Sequence, residues 1–190
     1  MGARPLWLAA GFILEEGFPL AELAKIVESM AAAAREAGVP VVTGDTKVVE
    51  KGQCDGLYIN TAGIGVIEHN LDIAPQSIAD GDVIILSGDI GRHGMAVMAK
   101  REGLEFDNPL HSDCDNLSEA VQALLAADVD VHCLRDLTRG GLASALIELS
   151  EISGLSFAIR EANITVSDAV SGACELLGLD PCYVANEGRF

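Results

Sequence analysis

The chain has 190 residues, with 12 Lys and Arg against 29 Asp and Glu, so its formal net charge is −17. A hydrophobic content of 49% is typical of a packed core and excludes a disordered protein. This length fits one large domain or two small ones. The acidic balance argues against non-specific nucleic-acid binding, because each phosphate contact needs a cation. It is still compatible with a nucleotide site built from Mg²⁺ and backbone N–H groups.

The sequence predicts a cytoplasmic protein that binds neither a membrane nor nucleic acid. No stretch approaches the roughly 18–20 apolar residues of a membrane span, and the start lacks the basic region of a signal peptide. Five cysteines form an odd set without a Cys-x-x-Cys pair. That pattern is typical of buried thiols in a reducing compartment, and we expect Cys133 and Cys174 to lie in the core.

Apolar periodicity predicts strands that alternate with helices. The expected strands are at residues 6–13, 40–43, 57–67, 81–87, 131–134 and 155–159, with a last one from Tyr183. The expected helices are near residues 20–34, 94–102, 117–127, 142–153 and 166–177, and the first carries an inward apolar stripe. Such alternation predicts an α/β or α+β protein. The irregular stretch 71–80 is the expected linker between domains at residues 1–70 and 81–190.

Residues 43–47 read Thr-Gly-Asp-Thr-Lys and follow a short predicted strand. A glycine-flanked turn would expose backbone N–H groups at this point. Asp45 can hold Mg²⁺ through oxygen, and Lys47 can contact a phosphate or carry a proton. The alternative is a surface turn with a solvated lysine.

Residues 87–94, Ser-Gly-Asp-Ile-Gly-Arg-His-Gly, lie between a predicted strand and a helix. Three glycines would let the backbone approach a ligand, and the helix N-terminus would favour an anion. The spacing does not match the dinucleotide fingerprint. The alternative is an ordinary turn that needs positive φ, with His93 in a structural role.

Residues 135–141, Arg-Asp-Leu-Thr-Arg-Gly-Gly, lie where a predicted strand gives way to a helix. Asp136 could ligate a metal that bridges phosphates, and the two flanking arginines favour a functional role. The alternative is that Asp136 or Thr138 caps the helix.

Residues 185–188, Ala-Asn-Glu-Gly, interrupt an apolar segment that otherwise predicts a strand. Such a conflict between local sequence and expected structure is typical of functional sites. The alternative is a hairpin turn.

In this order, TGDTKV, SGDIGRHG, RDLTRGG, CELLGLDP and ANEG resemble the HypE family of hydrogenase maturation proteins. That family belongs to the aminoimidazole-ribonucleotide synthetase, or PurM-like, superfamily. The resemblance covers essentially all 190 residues, and TGDTKVV and ANEG separate it from the purine-synthesis and selenophosphate-synthesis relatives. It implies a PurM-like two-domain architecture, of which this chain would hold the second part of the N-terminal domain and the first part of the C-terminal domain.

The resemblance also implies an activity. Family members use ATP to dehydrate a thiocarboxamide on their own C-terminal cysteine to a thiocyanate, which supplies the cyanide ligand of the iron in [NiFe] hydrogenase. It therefore implies ATP and Mg²⁺ as cofactors. The implied partners are a second copy in a homodimer, the carbamoyltransferase HypF and the HypC–HypD scaffold.

Roles for single residues follow from the same resemblance. Lys47 and Glu187 would act on the carboxamide, with Glu187 as the likelier base. Asp45 and Asp136 would lie at the Mg²⁺–phosphate site. The nucleotide and phosphate would be bound by Thr43, Gly44, Asp45, Thr46, Gly140 and Gly141, and the cleft would be lined by Gly91, His93, Gly94 and Asn186.

Two features of the family lie outside these 190 residues. They are an acidic nucleotide motif in the N-terminal segment and the terminal carrier cysteine, for which Cys182 is no substitute. We therefore expect the chain to be an internal portion of such a protein and to be inactive by itself. The alternatives are another ATP-dependent PurM-like synthetase, which would form a phosphoramidate or a selenophosphate, and a non-catalytic dimerisation module.

Overall fold

A computed structural model describes residues 2–104, 106 and 109–190. The backbone falls into two compact units, Gly2–His69 and Asn70–Phe190, which are described one after the other. Both helices and strands occur, as the sequence predicts. Among the described residues, no helix is long and apolar enough to cross a membrane.

The first unit is a three-stranded sheet with one helix. Its elements are β1 (Arg4–Glu15), α1 (Leu20–Glu36), β2 (Val41–Val49) and β3 (Leu57–Val66). The strand order is β2-β1-β3, with β1 parallel to β2 and antiparallel to β3. A parallel pair needs a crossover connection, which α1 supplies. The predicted strands at 6–13 and 57–67 and the predicted first helix are confirmed.

The apolar stripe of α1 faces the sheet without being enclosed by it. Val27, Met30 and Ala34 line a cavity of about 490 Å³ together with Ala10 and Phe12 of β1. No residue of α1 is buried, and Leu20 remains 80% exposed. The predicted apolar stripe therefore faces the sheet but is not buried against it, because the cavity separates the two.

Strand β2 is longer than the sequence predicts. The expected strand ended at residue 43, whereas β2 continues to Val49 and contains all of residues 43–47. Gly44 allows this pairing, because a Cβ at that position would overlap the carbonyl oxygen of Ala10 on β1. The prediction of a glycine-flanked turn was wrong, since this glycine permits close approach of two strands.

Within its described residues, the second unit contains four helices, each within a few residues of its predicted position. They are α2 (Arg92–Glu102), α3 (Ser118–Ala126), α4 (Gly141–Ser153) and α5 (Asp168–Leu177). Three short 3₁₀ turns occur at Pro75–Ser77, Glu161–Asn163 and Pro181–Tyr183.

The strands predicted in this second unit are not formed within its described residues. The segments at 81–87, 131–134, 155–159 and after Tyr183 are irregular. Where they meet, they make separate backbone hydrogen bonds in place of a ladder. Examples are Ser87 N to Phe190 O (3.1 Å) and Leu137 N to Arg189 O (3.2 Å). Val184, which follows Tyr183, is buried in the core, whereas Val83 and Ile85 in the segment at 81–87 are 82% and 75% exposed.

Two hydrophobic clusters form the core of the second unit. One contains Met95, Val170, Ala173, Cys174 and Val184, and the other contains Ile90, Leu137, Leu142 and Ala145. Cys174 is buried as predicted, whereas Cys133 is only partly buried. The segment at 185–188 follows Val184 of the first cluster, and Asn186 bonds Leu137 of the second. Both clusters therefore support this segment.

Candidate functional site

The predicted site residues fall into two groups, one in each unit. In the first unit, Asp45 and Lys47 lie two positions apart on β2, so that both side chains stand on one face of the sheet. They line a cavity of about 280 Å³, whose wall also includes Tyr58 and Asn60 of β3. An acidic and a basic side chain therefore share one concave surface.

The chemistry of this cavity fits a metal-bound phosphate. Asp45 Oδ1 accepts a hydrogen bond from Thr46 N (2.8 Å), which orients the carboxylate, and Oδ2 remains for a ligand. Mg²⁺ prefers carboxylate oxygen, and an ammonium group is an effective partner for a phosphate. Thr43 and Thr46 are exposed and do not line the cavity.

In the second unit, Asn186 is the residue around which the site is built. Its side chain is fully buried. Its Oδ1 accepts a hydrogen bond from Gly91 N (2.6 Å), while its Nδ2 donates to Leu137 O (3.2 Å) and Val184 O (3.0 Å). A buried amide satisfied at both ends fixes the backbone that carries it. Asn186 is thus a structural anchor, where the sequence predicted a cleft-lining residue.

The next residue, Glu187, combines a fixed backbone with an open carboxylate. Its N–H donates to Asp113 Oδ1 (3.1 Å), and Asp113 is 4% exposed. The following residue, Gly188, lies so close that a Cβ would overlap the carbonyl oxygen of Asp113. The Glu187 side chain is nevertheless 41% exposed. A carboxylate held in place and open to a ligand is suited to general-base chemistry.

His93 lies beside this carboxylate, near the start of α2. Its Nε2 is 4.0 Å from Glu187 Oε1, and its Nδ1 is 2.9 Å from Ser112 Oγ. Ser112, Asp113 and Cys114 were missed by sequence reasoning. The loop that contains them shows only a run of short polar residues, which is the signal of an ordinary turn.

The glycines at the start of α2 serve packing more than ligand approach. Gly91 has a φ of +89°, and a Cβ there would lie 2.7 Å from Val170 Cγ1. A Cβ on Gly94 would lie 2.5 Å from Val184 Cγ1. The N–H groups of Gly91 and Gly94 already donate to Asn186 Oδ1 and Ala185 O. The prediction that this helix start is open to an anion was therefore wrong for these two donors.

Asp136 is oriented by its neighbours. Its Oδ2 accepts a hydrogen bond from Thr138 Oγ1 (2.8 Å), its side chain is 45% exposed, and Arg135 pairs with Glu148 (2.5 Å). Helix α4 is capped by Gly140, and no side chain makes the cap hydrogen bond. The capping alternative for Asp136 and Thr138 was wrong.

Gly140 and Gly141 both have positive φ. A Cβ on Gly141 would lie 2.6 Å from the carbonyl oxygens of both Cys182 and Val184. Their conformation and close packing explain these glycines without a ligand.

A partly buried ion-pair network adjoins the segment at 185–188. Arg189 and Arg92 approach the two oxygens of Asp89 at 2.7 and 2.8 Å. Burial alone would raise the pKa of Asp89, but the hydrogen bonds from Arg189 and Arg92 outweigh it and keep that pKa below its ordinary value. Arg189 was also missed by sequence reasoning, because its partner lies 100 residues earlier.

Across the part of the chain that the structure describes, no three His, Cys, Asp or Glu side chains cluster as a metal site. A Mg²⁺ ion at Asp45 or at Asp136 would therefore take most of its ligands from phosphate and water, which is its usual behaviour with nucleotides.

Comparison with known proteins decides the family. Residues 79–190 match the model of the AIR synthase related protein, C-terminal domain, and residues 1–67 match that of the N-terminal domain. The chain belongs to the AIR synthase related protein family. The PurM-like fold expected from the motifs is thereby confirmed.

Within this family, the resemblance to HypE is confirmed by sequence and by structure. The chain is 58% identical over 188 residues to Carbamoyl dehydratase HypE of Azotobacter vinelandii, covering 99% of this chain and 55% of that protein. The crystal structure of hydrogenase maturation protein HypE in complex with ATP matches with a TM-score of 0.96 and 46% identity, over 99% of this chain and 56% of that one. A HypE–HypF complex matches with a TM-score of 0.95 and 48% identity, over 99% and 62%. The chain spans about half the length of the curated relatives it matches.

Proposed function

We propose that this chain carries the catalytic core of an ATP-dependent carbamoyl dehydratase that acts in [NiFe] hydrogenase maturation. The substrate is a carboxamide bound to a thiol, and the product is the corresponding thiocyanate. The observation that carries the proposal is Glu187, whose backbone is fixed by Asp113 while its carboxylate stays 41% exposed. The 58% identical relative has the dehydratase name, which favours dehydration over synthesis of a phosphoramidate or a selenophosphate.

The proposed reaction removes one oxygen and two protons from the carboxamide. ATP phosphorylates the amide oxygen, so that it leaves as phosphate, and the nitrogen loses both protons to give the nitrile. Glu187 is the base that accepts one of these protons, and the other passes to water or to another base. Lys47 acts on the carboxamide, or its positive charge stabilises the phosphoryl group during transfer.

The nucleotide contacts are proposed within each unit separately. Asp45 would bind Mg²⁺ in the first unit, supported by the cavity it shares with Lys47. Asp136 would do so in the second unit, supported by its orientation by Thr138. Thr43, Gly44, Thr46, Gly140 and Gly141 would shape the surroundings of the phosphates. Mg²⁺ would neutralise phosphate charge during transfer.

We further propose a cytoplasmic homodimer that receives the carbamoyl group from HypF and passes cyanide to a HypC–HypD scaffold. The solved complex of a related HypE with HypF supports the first of these partners. The domains would comprise residues 1–70 and 81–190, joined by a linker at 71–80. The family matches at 1–67 and 79–190 are compatible with this division.

The test is a chimera in which this chain replaces its matching segment of the Azotobacter vinelandii relative. We expect ATP-dependent conversion of the carrier carboxamide to thiocyanate, measured by mass spectrometry of the C-terminal peptide. Glu187→Gln should lower the rate by about 10²–10⁴-fold, the usual contribution of a positioned base, and should leave ATP binding intact.

The matched control is Glu175→Gln, which alters an exposed glutamate on α5. It should keep the parental rate. A parent chimera that folds and binds ATP but forms no thiocyanate would overturn the proposed function. Parental turnover by Glu187→Gln would refute the role of the base.

A further inference from the structure

We propose that Asn60 is the residue that recognises the amide group of the substrate, on the face of the sheet that carries Asp45 and Lys47. This inference rests on the proposed function, in which the substrate is a carboxamide. Asn60 lies on β3, outside every motif that the sequence singled out, and it lines the cavity of about 280 Å³ that Asp45 and Lys47 share.

The strand register places Asn60 and Asp45 on either side of Gly11. Gly11 of β1 pairs with Asp45 on β2 and with Asn60 on β3. Residues that pair directly point to the same face of a sheet, so both side chains stand beside the bare backbone of Gly11. Since neighbouring strands are about 4.8 Å apart, the Cα atoms of Asp45 and Asn60 are separated by roughly 10 Å, which leaves room for a small planar group between them.

A second row of paired residues crosses the same face two positions further along. Ile13 of β1 pairs with Lys47 on β2 and with Tyr58 on β3. The Tyr58 hydroxyl donates to Asp55 Oδ2 (2.8 Å) and accepts from Asp55 N (3.3 Å). The hydroxyl proton of Tyr58 is therefore already committed, and this residue contributes a wall to the cavity.

Of the described residues that line this cavity, Asn60 alone has a side chain with both a free donor and a free acceptor. Lys47 can only donate, and an ionised Asp45 can only accept. The side-chain amide of Asn60 makes no hydrogen bond with any residue that the structure describes. The polar capacity of Asn60 is thus left for a ligand.

A substrate carboxamide has the same polar groups as the Asn60 side chain, so the two can pair. One substrate N–H donates to Asn60 Oδ1, and Asn60 Nδ2 donates to the substrate oxygen. The oxygen keeps its second lone pair for the phosphoryl group. A group that lacks N–H donors could form only one of these two bonds, which makes Asn60 a specificity-determining residue.

Gly11 is a second observation that points to a ligand. Glycine weakens the interior of a strand and is often found where a ligand approaches the backbone closely. Among the described residues, a Cβ at Gly11 would meet only the carbonyl oxygen of Asn60, at 3.9 Å, which is ordinary contact. Its φ also lies outside the left-handed region. Packing within the first unit therefore does not require a glycine here, whereas it does at Gly44.

The first test measures binding to this chain and needs no turnover. The probes are two short peptides whose cysteine carries an S-carbamoyl or an S-dimethylcarbamoyl group, of which only the first has N–H donors. In ¹⁵N NMR titrations, the carbamoyl peptide should shift the Asn60 side-chain signals and bind about 5- to 50-fold more tightly, as the loss of one or two hydrogen bonds predicts. Asn60→Leu, which is similar in size, should remove this preference. Equal affinity for the two peptides, or unshifted Asn60 signals, would refute the proposal.

The second test uses the chimera. Asn60→Leu should lower the rate of thiocyanate formation at saturating ATP by about 10- to 100-fold and leave the KM for ATP unchanged, because the lost contacts are to the carboxamide. The matched control is Thr61→Ala, which changes the exposed neighbour on the opposite face of β3 and should keep the parental rate. A raised KM for ATP with an unchanged rate would assign Asn60 to the nucleotide and overturn the proposal.

Gly11→Ala tests the open backbone between Asp45 and Asn60. It should slow the chimera without lowering its melting temperature, because the new methyl group takes up the space of the substrate and overlaps no described residue. Gly63→Ala is the control, since Gly63 pairs with Leu8 on the other face and a Cβ there would lie 3.4 Å from Leu8 Cδ2. It should keep the parental rate. A parental rate for Gly11→Ala would show that no ligand approaches this strand.

The outcomes separate the role of Asn60 from the proposed function. If the parent chimera is active and Asn60→Leu keeps its rate, the dehydratase proposal stands and the role of Asn60 is refuted. If the parent chimera folds but forms no thiocyanate, the dehydratase proposal fails, and the peptide titration still decides whether Asn60 binds an amide.

Discussion

His132 is a residue at which protonation is coupled to stability. Its Nδ1 lies 2.7 Å from Asp82 Oδ2, and its Nε2 lies 3.4 Å from Asp130 Oδ2. The hydrogen bond with Asp82 raises the pKa of His132 above its ordinary value. The pKa of Asp82 is lowered, first by the Ala79 N–H and then by His132. This contact joins residues 50 positions apart in the second unit.

The signs of these shifts predict where the contact stabilises the fold. A raised histidine pKa adds stability that is complete below about pH 6.5 and is lost as the pH rises through the folded-state value. A lowered aspartate pKa adds stability above about pH 4, which is lost as the pH falls through its folded-state value. His132→Gln should therefore lower the urea midpoint more at about pH 5.5 than at about pH 8.5.

A double-mutant cycle with Asp82→Asn provides the control for this prediction. The coupling between the two substitutions should be present at the lower pH and fade at the higher one. Equal destabilisation at both pH values would show that the charge on His132 does not contribute to the stability of the fold.

At the scale of elements, two glycines predict opposite effects of the same substitution. Gly172 lies within α5, where a Cβ would meet nothing within 4 Å. Gly172→Ala should stabilise the fold by about 0.5–1 kcal/mol, because alanine loses less backbone entropy in a helix. Gly188→Ala should destabilise it by about 1–3 kcal/mol, because the new Cβ overlaps a backbone carbonyl that cannot easily move.

Urea unfolding of both variants measures the two effects, and each serves as the control for the other. If Gly188→Ala leaves the free energy of unfolding unchanged, the loop at 111–116 can move away from the new Cβ without an energetic cost. The tight support assigned to Glu187 would then be wrong.

The elements also show how far the sequence could predict this protein. The four helices of the second unit follow from periodicity, because apolar residues three and four apart make one face of a helix. Residues 43–47 were misinterpreted because Gly-Asp is a turn signal locally, whereas the deciding contact is with Ala10 on another strand. In the second unit, apolar stretches predicted strands that are not formed, since a short apolar run does not specify a ladder. Val184 is buried in the core, whereas Val83 and Ile85 stay exposed.

The candidate site was predictable to the extent that its residues conflict with their surroundings. Asn186 and Glu187 stood out as polar residues in an apolar segment. In the structure, Asn186 anchors this segment and the backbone of Glu187 is bonded to Asp113. Asp113 did not stand out, because its contact with Glu187 spans 74 positions and has no local pattern.

At the scale of the whole molecule, the net charge of −17 sets the response to salt. Carboxylates in excess repel one another in the folded state, and salt screens this repulsion over about 10 Å at 0.1 M. We expect the melting temperature to rise between roughly 10 and 300 mM NaCl, a range over which screening becomes strong. A constant or falling melting temperature would show that local ion pairs dominate.

Charge reversal on α1 supplies the control. The double substitution Glu28→Lys and Glu36→Lys changes two exposed positions. Each substitution raises the net charge by two, from −17 to −13 in total. This variant should show a weaker salt dependence than the parent. If the melting temperature of this variant depends on salt as strongly as that of the parent, the net charge is not the cause of the salt effect.

The anchoring of Asn186 has a consequence for the biosynthesis of the protein. Its partners Gly91 and Leu137 precede it by 95 and 49 positions. A ribosome adding about 5–20 residues per second makes Gly91 roughly 5–20 s before Asn186 exists to bond it. Until nearly the whole second unit has been translated, the N–H groups at the start of α2 can only hydrogen-bond to water. A nascent chain that has not reached residue 188 has no positioned base, so the proposed chemistry cannot begin before this segment has been translated.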